Sequence, residues 1–425
     1  MAHSKTKHIF SQRMKTYKFI IALIAMASLA TAGAQTASVT PYSRIGYGML
    51  GENATGIQRQ MGGVGYAAQN GRQINVMNPA SYSQTDSITF LWDLGIDLTN
   101  VWSKEGDKSG YSFAGGLDYI TSAFRLGKGV GASIGVVPFS SVGYSFGSKI
   151  DGGAETRTGA GNISELYLGA GWEPLKNFSI GANVSYMFGN IQNFTYINNN
   201  STNLFMRTLE VRDWNLHLGA QYGINLSKLD RVVLGVTYSP KKSLHGNTWG
   251  NYYDASNDKK LDTVAYTGLK GNFELPNTIG AGVSYNHGNK FYGEVNFTYQ
   301  DWSKARYKPL QNFEPASIKF DNRWKVAAGL QYTPNSRGGY FKRMSYRMGA
   351  FFNHDYQNVR GNNVRDYGVG MGVGFPALGS KTLVNLGVEW KHRYTAPVKY
   401  ITEDYLNITL SVTFNEMWFW KNKLR

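Results

Sequence analysis

At 425 residues, with no cysteine and 44 basic against 28 acidic side chains, the chain excludes a disulfide scaffold, a thiolate zinc site, a thiol nucleophile and a lipid-modified N-terminal cysteine. The formal charge of +16 overstates its working basicity: five basic residues (Lys5, Lys7, Arg13, Lys15, Lys18) lie in a removable, acid-free leader, leaving 39 bases against 28 acids, or +11. The remaining bases are scattered over predicted loops and strand ends, with one small cluster at Lys421, Lys423 and Arg425; nucleic acid is therefore not an expected partner, and anionic headgroups or acidic glycans suit the charge better.

The leader comes first in the chain. Lys15 and Lys18 form a basic n-region, Phe19 to Leu29 an apolar stretch, and Ala32-Gly33-Ala34 a small-residue cleavage site before Gln35, so residues 1–34 read as a signal peptide. Residues 1–13 precede a second methionine, Met14, and are either a mis-called start or an extended n-region. Beyond the leader no apolar run approaches the ~20 residues a helical span needs. No Pro- or Ser-rich linker divides the remainder, which favours a single domain.

Residues 35–86 are rich in glycine and small polar side chains, including Gly46, Gly48, Gly51, Gly56 and the run Gly62-Gly63-Val64-Gly65, without a sustained period. They also carry Met61, Val64, Tyr66, Ile74, Val76 and Met77, apolar groups that an unfolded tail would leave in water. A compact insert inside a barrel would bury them.

From residue 87 to 415 the pattern changes to a period of two. Leu406, Ile408, Leu410, Val412 and Phe414 alternate with Asn407, Thr409, Ser411 and Thr413; Phe178, Ile180, Ala182, Val184 and Tyr186 alternate with Ser179, Gly181, Asn183 and Ser185. Such alternation places the two sets on opposite faces of a sheet. The predicted strands are 88–100, 110–125, 130–147, 163–172, 178–190, 207–224, 231–240, 277–286, 290–301, 321–333, 343–353, 365–375, 381–395 and 405–415. Connectors alternate between short ones and mostly longer, more polar ones. An even-numbered antiparallel transmembrane β-barrel of about 14 strands accounts for this, with short periplasmic turns, longer external loops, both termini in the periplasm and 416–425 as a periplasmic tail. Aromatic residues make up 14% of the chain, and Trp172, Trp214, Trp302, Trp324, Trp390, Trp418 and Trp420 near strand ends read as headgroup girdles. Glycines recur on the polar face (Gly169, Gly171, Gly219, Gly235, Gly280, Gly282, Gly329, Gly368, Gly370, Gly372), leaving room inside the wall for something else to fill.

In the third strand, Gly131 and Gly135 precede Pro138, a proline inside a sheet with no free edge. It removes a ladder donor and predicts a bulge or a break.

The order Arg59-Gln60-Met61-Gly62-Gly63-Val64-Gly65-Tyr66-Ala67-Ala68, followed by Asn78-Pro79-Ala80 just before the first strand, resembles the N-terminal hatch of the FadL/TodX family of outer-membrane transporters for hydrophobic compounds. Ser81 stands where that family commonly has glycine. The resemblance covers essentially the whole mature chain. It implies a hatch or gate around Gly62, Gly63, Gly65, Asn78, Pro79 and Ala80, and a lateral opening around Gly131, Gly135 and Pro138. It further implies location in the outer membrane of a gram-negative bacterium, among outer-membrane lipids, and transport of a hydrophobic small molecule of fatty-acid or hydrocarbon type. Burial of an acyl chain, worth ~0.8 kcal/mol per methylene, would supply the affinity. The alternative is a docking or shuttle role for an exported protein of a secretion system, since one fold hosts many functions. A continuous apolar lumen would favour transport, and a filled lumen docking.

No catalytic constellation, cofactor or metal is expected. His217, His245, His287, His354 and His392 fall in separate segments without Ser-His-Asp order or His-Glu-x-x-His spacing. His354-Asp355 is one adjacent pair. Asp254, Asn257, Asp258 and Asp262 follow no known calcium-loop spacing. Lumen-facing Glu165, Glu294 and Glu389 are expected to find an Arg or Lys across the barrel.

Overall fold

The computed structural model describes residues 39–417 apart from 200, 255–261, 316–317 and 378–380. The signal peptide, the C-terminal tail with Trp418 and Trp420, and Asn257 and Asp258 therefore lie outside the described residues.

Fourteen antiparallel strands close into a barrel. They are β1 (Thr89–Glu105), β2 (Lys108–Gly127), β3 (Val130–Ile150), β4 (Gly153–Leu175), β5 (Phe178–Asn199), β6 (Ser201–Asn225), β7 (Asp230–Ser239), β8 (Thr278–His287), β9 (Phe291–Gln300), β10 (Arg323–Tyr332), β11 (Ser345–Val359), β12 (Asn362–Pro376), β13 (Leu383–Ala396) and β14 (Thr402–Met417). Each pairs with its sequence neighbours, and β14 returns to β1 in a ladder from Thr402–Lys104 to Met417–Thr89. A hairpin of 246–254 and 262–268 continues the sheet beside the upper part of β6.

The faces are inverted relative to a water-soluble protein. On β5 the polar Ser179, Asn183 and Ser185 are buried inside while Val184 is 47% exposed outside, and on β6 Gln221 is buried while Trp214 is 62% exposed. An outward apolar belt around a polar interior is the arrangement lipid demands. Trp172, Trp324 and Trp390 also face outward. Trp302 does not. It is 1% exposed on a short turn after β9, where its indole N–H donates to Gln300 (2.9 Å), and it belongs to the interior.

Four expectations about connectors change. The stretches 101–109, 148–162, 191–206 and 354–364 are mostly strand: β1–β2, β3–β4, β5–β6 and β11–β12 run on as hairpins, β6 reaching 25 residues. A transmembrane strand needs only about 9–11 residues, so these hairpins stand beyond the apolar belt. There polar residues such as Thr195, Asn198, Asn203 and Arg207 share the faces with Phe194, Ile197, Leu204 and Phe205, and the strict alternation that marks a strand is lost. Among the described external connectors, 240–277 and 301–322 remain long.

Residues 40–86 occupy the lumen as a plug held by short helical turns and side-chain caps. Glycines on the inner wall admit it. A Cβ on Gly235 would sit 2.0 Å from the Tyr66 carbonyl oxygen, one on Gly181 2.4 Å from the Pro79 carbonyl carbon, and one on Gly329 2.4 Å from the Met61 carbonyl oxygen.

Candidate functional site

Asn78-Pro79-Ala80 forms one key of the plug. Pro79 opens a six-residue 3₁₀ helix, Pro79–Gln84, whose N-cap is Asn78. The fully buried Asn78 amide accepts from the Ala80 N–H (3.1 Å) and donates to the carbonyls of Tyr66 (2.7 Å) and, on β6, Ala220 (3.2 Å). Ser81 donates its hydroxyl to the Asn78 carbonyl (2.7 Å), closing the first turn of that helix. Gly62 and Gly63 have φ of 75° and 84° and make the tight reversal after the turn Gly56–Arg59. At Gly65 a Cβ would meet the Gln58 amide at 2.4 Å.

The third strand is where the wall departs from closure. The β2–β3 ladder runs from Gly127–Val130 to Ile120–Val136 and stops. Among the described residues no ladder joins Lys108–Tyr119 to β3, whereas β3 pairs along its whole length with β4. Gly131 and Gly135 sit in the closed part, opposite Arg125 and Thr121. Pro138 lies two residues past the last pair, at a register shift against β4.

The plug is tied to both lips of this opening. On the β3 side Met49 and Leu50 pair with Ser141 and Ser140, and the Gly51 N–H donates to the Phe139 carbonyl (2.7 Å). On the β2 side Arg59 reaches Asp118 at 2.6 Å, with Asp97 of β1 at 3.7 Å. Burial alone would lower the Arg59 pKa, but the two carboxylates more than offset it and hold the guanidinium above its ordinary value. Behind the lips, in the lumen, lies a cavity of about 270 Å³. Its acids are Glu52, Asp97, Asp118, Asp355, Asp366 and Glu389; its bases are Arg59, Arg323, Lys325, Lys391 and Arg393. Arg393 bonds Asp366 at 2.8 Å and Asp355 at 3.3 Å, and Lys325 pairs with Glu52. An aromatic cluster of Tyr47, Trp302, Phe320 and Tyr356 closes the lumen on its external side, with Trp302 stacked on Tyr356 at 4.5 Å.

The Glu52–Lys325 pair makes plug seating depend on pH. Burial raises the Glu52 pKa, but Lys325, with Arg323 and Arg59, outweighs that and leaves it below 4.5. A depressed carboxylate contributes stability that is present above the ordinary value and lost as pH falls through the folded one. Acidification to below the ordinary glutamate range is therefore expected to loosen the plug, read as rising single-channel conductance that reverses at neutral pH and is absent in Glu52→Gln.

The three lumen glutamates expected to meet cations do not. Glu165 accepts from Ser185 and Asn215, Glu294 from the Ala67 N–H and the Tyr292 hydroxyl, and Glu389 from Asn407; none has a salt-bridge partner among the described residues. Polar neighbours and plug backbone supply the donors instead. The histidines stay apart: His217 bonds the Met77 carbonyl (2.9 Å), whereas His287 at the end of β8 pairs with Asp230, its ladder partner at the start of β7. Sequence reading missed the lip contacts of Met49, Leu50 and Arg59 and the charged lumen. Its available signal was Lys325, Lys391 and Arg393 at inward-facing positions within strands.

Fold and interior together define the class: a FadL-like fourteen-stranded barrel with a lumen filled by its own N-terminal segment. Within that class, the family model described as BamG matches residues 15–425, and the chain belongs to the BamG family. Solved structures with the same fold include a Pseudomonas aeruginosa FadL homologue (TM-score 0.63, 12% identity, covering 86% of this chain and 99% of that one). The CymD monoaromatic hydrocarbon channel (0.57, 15%, 88% and 99%) and the Ralstonia pickettii toluene transporter TbuX (0.56, 14%, 85% and 98%) also share it. No curated protein matches the chain.

Proposed function

We propose that the chain is a non-enzymatic docking barrel of a gram-negative outer membrane, engaging an exported or envelope protein at its wall opening while the plug stays seated. The observation that carries this reading is the content of the lumen behind the opening. Six acids and five bases line a cavity of about 270 Å³, and the plug bonds both lips. An apolar molecule passing there would desolvate charged groups and offer them no partner. The same opening leaves twelve residues of β2, Lys108–Tyr119, without a β3 partner. Strand edges of this kind accept an added strand. A photo-crosslinking residue at Ser112 should give a discrete protein adduct in intact cells, and one at Val369 on lipid-facing β12 should not. Identical adduct patterns at the two positions would end the docking reading.

Uptake of a hydrophobic small molecule is the second reading, favoured by the wall opening and by the fold shared with CymD and TbuX. In that reading residues around Gly62, Gly63, Gly65 and Asn78-Pro79-Ala80 shift, and the ligand leaves sideways past Pro138. Mass spectrometry of gently extracted protein separates the two. A stoichiometric hydrocarbon or fatty acid supports uptake, and bulk membrane lipid alone supports docking.

A further inference from the structure

Above the aromatic cluster lies a second, separate cavity of about 950 Å³ on the external side. Its walls carry five bases, Arg44, Arg157, Arg207, Lys319 and Arg360, and two acids, Glu155 and Glu314. Both acids are engaged: Glu314 with Arg207 at 3.0 Å and Glu155 with Arg157 at 2.6 Å. Arg44, Lys319 and Arg360 thus face the cavity with no acid within salt-bridge range among the described residues. Arg44 is the least easily explained of the three. It is half-buried on the turn Pro41–Arg44, its guanidinium has no hydrogen-bond acceptor among the described residues, and burial together with the nearby Arg157 lowers its pKa. A half-buried guanidinium that no protein acceptor engages gains a charge-assisted hydrogen bond when an anion enters the cavity beside it. Phe205, Phe313 and Ile318 on the same walls supply an apolar complement.

We propose that this vestibule binds a multiply charged anion, a phosphorylated group on a lipid or sugar body, through Arg44, Lys319 and Arg360. Guanidinium groups take phosphate oxygens in pairs, and three cations without an acid partner, Arg360 among them resting over the Tyr400 ring at 5.7 Å, match a group carrying about two charges. The site does not depend on the docking reading, since the aromatic cluster separates it from the wall opening.

The test uses the full barrel in neutral detergent, checked for folding by heat-modifiable gel mobility. Calorimetric titration is carried out with two probes, inorganic pyrophosphate and dihexanoyl phosphatidic acid. Saturable, salt-sensitive binding is expected, weakened about tenfold or more by Arg44→Gln and by Arg360→Gln, with partial recovery in Arg44→Lys. Tighter binding of the phosphatidic acid assigns the site to a lipid headgroup. Equal or tighter binding of pyrophosphate assigns it to a soluble phosphorylated sugar. Absence of saturable binding of either probe, or unchanged affinity in both glutamine variants, overturns the proposal.

Discussion

Replacing Gly235 with valine will expel the plug and convert a closed barrel into an ion-conducting one. The added Cβ would fall 2.0 Å from the Tyr66 carbonyl oxygen, 2.4 Å from its carbon and 2.9 Å from the Ala67 Cα, all backbone atoms that have no rotamer by which to yield. Overpacking of this kind costs about 1–3 kcal/mol even where side chains can adjust. Here one of the plug's keys must also leave its seat, taking with it the Asn78 and Gln221 bonds to the Tyr66 carbonyl. Valine itself suits a strand, and Gly235 keeps its ladder partners Gln221 and Gly282, so the wall should assemble normally. Planar-bilayer recordings should show large, long-lived openings in Gly235→Val and almost none in the parent. Gly110→Val, on β2 where a Cβ meets nothing within 4 Å, should stay closed. A closed Gly235→Val channel with normal assembly would show that the plug does not bear on the wall at this strand.

That contact also explains what could be read before the fold was known. Alternation such as Ile180, Ala182, Val184 against Ser179, Gly181, Asn183 is a property of the chain itself, because lipid outside and polar lumen inside impose opposite demands on adjacent residues. Glycines on the inner face were legible for the same reason: a wall without side chains implies a filler. Which filler atom meets which glycine was not legible, since Tyr66 and Gly235 are 169 positions apart and no local pattern couples them. The break at Pro138 was readable as a missing donor, but its extent was not. It depends on Met49 and Leu50 pairing with β3 and on Arg59 holding Asp118, long-range contacts made by a segment with no period of its own. The interior charges escaped for a further reason. Lys325, Lys391 and Arg393 look like ordinary polar-face residues until the facing acids of other strands and of the plug are known. Trp302 was misassigned because a tryptophan near a strand end looks alike whether its turn faces lipid or folds back over the lumen.

Pro138→Val should draw the opening shut, and the consequences separate an opening that works from one that is incidental. Proline withholds a backbone donor two residues beyond the last β2–β3 pair, Ile120–Val136. Valine restores that donor and favours extended backbone. Continuing the register brings position 138 opposite Asp118, so each new pair competes with the Arg59–Asp118 contact. The chain has no cysteine, which allows closure to be measured directly. In the continued register Gly116 faces Ser140, and Gly116→Cys with Ser140→Cys should form a disulfide when combined with Pro138→Val and not when Pro138 is retained, given the about 4.4–6.8 Å Cα separation that bond requires. With the lips joined, adduct yield from Ser112 should fall about tenfold, a loss of about 1.4 kcal/mol in apparent affinity; if the chain takes up hydrocarbons, uptake should fall instead. Closure that leaves both unchanged would make the opening a by-product of how the plug is held. Failure to close would assign the opening to Met49 and Leu50, whose pairing with Ser141 and Ser140 already occupies the edge that β2 would need.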